Sequence, residues 1–215
     1  MNFKCTYNIE KEVDNYVEKL LKNKDLKLKD ELLKTTNPEI QKMLSKEKTP
    51  NAKQQLTKYF QKYYNQNIQQ IEQKEKLLNK AWQVVGNQII YTVESLYKRK
   101  FPFKNLIGFY TTLPIYPYSY ENKYTYVGLN EEIPEQLMSI LHELNHFMFH
   151  HYFGHLRDKL KYKKFHLIKE SLTFFTNPED PGLKNQEDLR VLYASKYWEN
   201  IDDAISAAVR KIEKE

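Results

Sequence analysis

Apolar residues recur at helical spacing along most of this chain. In "IEKEVDNYVEKLLKN", Ile9, Val13, Tyr16, Val17, Leu20 and Leu21 form one stripe with the charges opposite, which predicts an amphipathic helix. "NPEIQKMLSKE" offers Asn37 as a cap and Pro38 at the first helical position, so a short helix follows there. The polar, Gln-rich "TPNAKQQLTKYFQKYYNQNIQQIEQKEKLLNK" reads as a long helix, covering the next domain or serving as a docking arm for a protein partner. From Leu77 the pattern tightens: Trp82, Val85, Ile89, Val93 and Leu96 step by three or four, and Pro102 is placed to end the helix.

The period then changes. "NLIGFYTTLPIY" and "KYTYVGLN" are β-branched and aromatic runs, read as two strands joined through "PYSYEN". Pro134 suits the first turn of the next helix, whose buried stripe is Leu137, Leu141, Leu144 and Met148. Another helix is expected over 166–176 until "NPEDPG" breaks it, and "NQEDLRVLYASKYW" and "WENIDDAISAAVRKIE" supply two more. The expectation is an α+β chain with a helical N-terminal region, 1–76, and a compact domain, 77–215.

Composition adds exclusions. With 17 Tyr and 11 Phe in 215 residues the chain has ample packing material, and five glycines leave no Gly-rich phosphate loop. Cys5, the single cysteine, has no internal disulfide partner and belongs to no Cys-rich metal site. The N-terminal stretch lacks an apolar core of signal-peptide length and no 18-residue apolar run occurs, so a cytoplasmic protein without a membrane span is expected. Residues 1–100 hold 20 Lys and Arg against 12 Asp and Glu. In a chain so rich in Lys, Asn, Ile and Tyr this reads as compositional bias, and nucleic-acid binding is not the expectation.

The chemistry gathers in "LHELNHFMFH". Residues four apart share a helix face, so His142 and His146 can offer two imidazoles to one ion, and Glu143, one residue round, can reach a water there. A catalytic zinc site takes three protein ligands and keeps one position open. The candidates for the third are His150, His151, His155, His166 and Glu170. His150 continues the series but sits about 12 Å along the axis from His142, too far for both to bind one ion. Glu170 lies on a separate predicted helix, where Leu167, Leu172 and Phe175 pack while its carboxylate turns toward the first helix. A carboxylate in an apolar setting needs a partner, and a metal is one. His151 and His155 read as solvated residues or a cleft rim, and Trp82 and Trp198 as core anchors.

"HELNH" followed by "KESLTFF" resembles the gluzincin class of zinc metallopeptidases, and its small scale resembles the minigluzincins. The resemblance covers residues 77–215. It implies a zincin-like fold with a small, mainly antiparallel sheet, an HExxH helix and a glutamate-bearing helix. It further implies Zn2+ on His142, His146 and Glu170, with Glu143 as general base and then proton donor to the leaving amine. An extended peptide or protein substrate would lie along "YTYVGLN" as the sheet edge. The class uses a downstream His or Tyr against the oxyanion; no histidine follows His166, so Tyr193 takes that role here, with Tyr197 and Arg190 as alternatives. Where many members have an aspartate four residues after the ligand glutamate, this chain has Phe174, which passes support of the histidines to another group such as Thr173. Two other readings stay open: an inactive zincin-fold regulatory module, and a basic helical nucleic-acid- or partner-binding protein.

Overall fold

A computed structural model of the chain describes residues 1–46, 49–179 and 184–214. In order these form β1 (Asn2–Thr6), α1 (Ile9–Tyr16, continued by a π-helical turn Val17–Leu21), α2 (Leu26–Thr35), α3 (Pro38–Lys46) and α4 (Thr49–Tyr97). Then come β2 (Asn105–Thr111), β3 (Tyr118–Ser119), β4 (Tyr124–Gly128), α5 (Ile133–Phe153), α6 (Leu156–Lys159), α7 (Tyr162–Ser171), α8 (Glu187–Ala194) and α9 (Ile201–Glu213). The α+β class stands. Local chemistry explains several boundaries: Asn8, Asp25 and Asn200 each accept a backbone N–H three residues on and so cap α1, α2 and α9. The two helices read on either side of Leu77 are one unbroken helix, so the expected boundary at 76/77 falls inside α4. That helix stops before Pro102. Lys98 adopts φ 49°, and the amides of Lys98 and Arg99 turn back to the carbonyls of Ser95 and Glu94, the hydrogen bonds of a Schellman cap. The predicted helix 166–176 begins earlier, at Tyr162, and its last turn tightens to a 3-10 turn at Leu172–Phe175. The breaker expected at 177–182 lies partly outside the described residues.

The sheet departs from expectation in two ways. Residues 2–6, read as part of a helical region, are a strand in which Phe3 and Cys5 point inward. The four strands run in the order β1-β2-β4-β3, with β1–β2 and β2–β4 parallel and only the two-residue β3 antiparallel. The sheet is therefore mixed and mainly parallel rather than mainly antiparallel. The connections explain it, because parallel neighbours need crossovers of about a dozen residues or more, and β1 reaches β2 through α1 to α4. β4, within "YTYVGLN", stands third in the sheet between β2 and β3, although β3 pairs with only Tyr124 and Thr125.

Contacts group the chain into two units interleaved in sequence. One comprises Asn2–Gln83 and Asn105–Leu137. Its sheet face packs Phe3 on Trp82 at 4.9 Å between ring centroids, and Gly108 leaves the room: a Cβ there would lie 2.6 Å from the Phe3 ring. Asn79 closes the open edge of β1 by bonding both the N–H and the C=O of Cys5. Val13, Tyr16, Val17 and Leu20 meet Leu32, Ile40, Leu56 and Phe60 in a second core. Glu12 lies on that buried side too, although the sequence pattern had put the charges opposite.

The other unit comprises Met1, Val84–Lys104 and Met138–Glu215. Here Phe101 and Phe103 pack on Phe147, Phe149 on Phe153 and Phe165, and Arg99 holds Asp202 through two hydrogen bonds. No helix among the described residues is long and apolar enough to cross a membrane.

Candidate metal centre

Between Ile140 and Phe149, α5 is buried on every side except at His142, which is half-buried. It is thus a core helix rather than a surface one, of the predicted stripe burying Leu141, Leu144 and Met148. Tyr97, the last residue of α4, donates from its hydroxyl to the Asn145 side-chain oxygen at 2.7 Å, pinning the helix in the middle of "HELNH". His142 and His146 then stack perpendicular, with ring centroids 4.5 Å apart.

Helix α7 runs back along α5. Phe165 packs on Phe149 at 5.1 Å and on the His150 ring at 5.8 Å, so the next turn and a half brings Glu170 beside His146 and His142. The two carboxylate oxygens face different groups. Oε2 lies 3.2 Å from His146 Nε2 and 3.7 Å from His142 Nε2, whereas Oε1 lies 2.8 Å from Lys169 Nζ and 3.1 Å from His166 Nδ1. Glu143 is 8% exposed, its Oε1 4.0 Å from His142 Nε2.

The charges follow from these distances. Burial pushes the His146 imidazolium down to about 3, with Lys169 adding to the effect and Glu170 opposing it. For His142 burial also opposes the charge, but the hydrogen bond to Glu170 and the charges of Glu143 and Glu170 outweigh it and raise its pKa. Burial works against an ionised Glu170 as well; His146 above all, with hydrogen bonding to His142 and His146, holds the carboxyl far below the usual range.

Ligand atoms of His142, His146 and Glu170 lie within 4.8 Å of one another, and this group could hold a metal ion. The donor chemistry fits: two imidazole nitrogens and one ionised carboxylate are a catalytic-type ligand set, and bonds of about 2 Å at tetrahedral angles place ligand atoms about 3.3 Å apart, close to the 3.2 and 3.7 Å seen.

Of the residues expected from sequence, these three converge and Glu143 sits beside them. Tyr193 does not join the ion-pair network. It is a core residue, 2% exposed, its ring tilted against Phe174 and Phe175, and burial pushes its phenol up. Tyr197 is 89% exposed, and Arg190 lies buried with its guanidinium over the Phe174 ring. Thr173 gives its hydroxyl to the Glu170 carbonyl. His151 and His155 are exposed, as their pattern implied, whereas Trp198 is only half-buried. Two partners of Glu170 escaped the sequence reading. His166 carried a legible signal, since it precedes Glu170 by four residues on one helix. Lys169 carried none, because a lysine's burial depends on what packs over it. No protein-family model, no curated protein and no solved structure matches the chain.

Proposed function

We propose that this protein is a zinc-dependent metallopeptidase of gluzincin-like type, cleaving peptide bonds in a peptide or protein substrate. The observation that supports this most is the convergence of His142 Nε2, His146 Nε2 and Glu170 Oε2, contributed by two helices, with the nearly buried Glu143 next to them. Zinc on these three ligands supplies a Lewis acid that brings the pKa of water to about 7 and polarises the scissile carbonyl. Glu143 supplies the base. It takes a proton as the water oxygen attacks the carbonyl carbon, and it returns that proton to the leaving nitrogen as the C–N bond breaks. Its place one residue after a ligand on a rigid, buried helix fixes that geometry. An inert binding module has no chemical use for a carboxylate kept so far from solvent, where its charge costs free energy.

The test pairs metal with turnover. The purified protein is expected to carry a single zinc equivalent and to cleave members of a quenched-fluorescent peptide library. Glu143→Gln should keep the zinc and lose roughly 100-fold or more in rate. Hydrolysis that persists unchanged in Glu143→Gln, or zinc that persists in Glu170→Ala, would refute the assignment.

A further inference from the structure

We infer that Lys169 and His166 are positioning residues that hold Glu170 as a one-oxygen ligand; this rests on the metal-centre reading above. A carboxylate can meet a cation through one oxygen or through both. In a site with three protein ligands the difference is chemical, because a second oxygen from the same carboxylate takes up the position that a hydrolytic centre leaves open.

The two oxygens of Glu170 are already divided. Oε1 is the oxygen nearest Lys169 Nζ, at 2.8 Å, and nearest His166 Nδ1, at 3.1 Å. Oε2 is the oxygen nearest His142 and His146. Lys169 is 7% exposed, a depth at which an ammonium is held by charged partners, and charge-assisted hydrogen bonds are the strong ones. His166 reaches the same oxygen from the preceding turn of α7, while Thr173 ties down the Glu170 main chain from the next turn. Rotation of the carboxylate to present both oxygens would disturb both contacts, one of them with the buried Lys169 ammonium.

The full-length protein loaded with Co2+ tests this, read by visible d–d absorption and by the coordination number from X-ray absorption. The wild type is expected to give the intense bands of a low-coordinate site. Lys169→Met and His166→Ala should keep the cobalt but show a severalfold weaker band and an added oxygen neighbour. His166→Asn, whose amide can stand near the position of Nδ1, should return the wild-type spectrum. Wild-type spectra from both Lys169→Met and His166→Ala at full cobalt occupancy would overturn the positioning role and leave the metal centre standing. If Lys169→Met does not fold, the two His166 variants decide by the same criterion. Failure of the wild type to take up cobalt, or a wild-type spectrum in Glu170→Ala, would instead overturn the metal reading and this proposal with it.

Discussion

Glu12 provides the sharpest physical test of the fold. It is fully buried on α1, and its Oε1 accepts the backbone N–H of Thr112 at 2.8 Å and the Thr112 hydroxyl at 2.6 Å. Those hydrogen bonds favour the carboxylate, but burial outweighs them and the carboxyl is pushed from 4.5 up to about 7. The folded state therefore binds a proton that the unfolded chain releases above pH 4.5. Between that value and about 7, stability falls as pH rises, at about 1.4 kcal/mol per pH unit, so the whole window removes about 3 kcal/mol. This is a large part of a typical domain's stability of about 5–15 kcal/mol. Glu12→Gln keeps an acceptor for Thr112 and removes the titration. Urea melts at pH 5, 6, 7 and 8 should show the variant gaining on the wild type as pH rises, by about 3 kcal/mol at the top of the range, with the m-value unchanged. A difference between wild type and variant that stays constant over pH 5 to 8 would show that the carboxyl titrates alike in both states, and the argument from burial would be wrong.

Three further outcomes follow from individual contacts. His150→Ala should keep its metal and His142→Ala should lose it, read by metal analysis after gel filtration; loss in His150→Ala would mean that helix rise does not exclude that residue. Tyr97→Phe removes the hydroxyl that Asn145 accepts in a buried setting and should cost about 1–3 kcal/mol in denaturant melts; a neutral effect would show that the pair does not anchor the helix that carries His142 and His146. Lys98→Gly relieves a left-handed backbone at the end of α4 and should raise stability by up to about 1 kcal/mol, checked by thermal melts; destabilisation would mean that the lysine side chain contributes more than its φ of 49° costs.

Much of the candidate site was legible because it is local. His142, Glu143 and His146 are neighbours in any helix, and the stripe of Leu141, Leu144 and Met148 named that helix. Glu170 was reachable by a longer step, since a carboxylate among Leu167, Leu172 and Phe175 needed a partner. Glu12 shows where the same reasoning stopped short. It lies three residues after Ile9 and four before Tyr16, on the buried side of α1, yet its charge assigned it to solvent. The pattern of one helix does not reveal what a neighbouring element carries, and here that element is the end of β2 with Thr111 and the adjoining Thr112.

By itself the sequence determined most of the helices, though not α2 or α6, two of the strands, and the spacing that puts two imidazoles and a carboxylate on one helix. These depend on contacts within about four residues, which any folded context preserves. Only the tertiary structure decided that residues 2–6 are a strand, that the sheet is mainly parallel, that Tyr193 belongs to a core, and that Lys169 and His166 take one oxygen of Glu170 while the histidines take the other. Each of those depends on which surfaces meet across tens of residues, and a side chain's burial and partners come from that meeting.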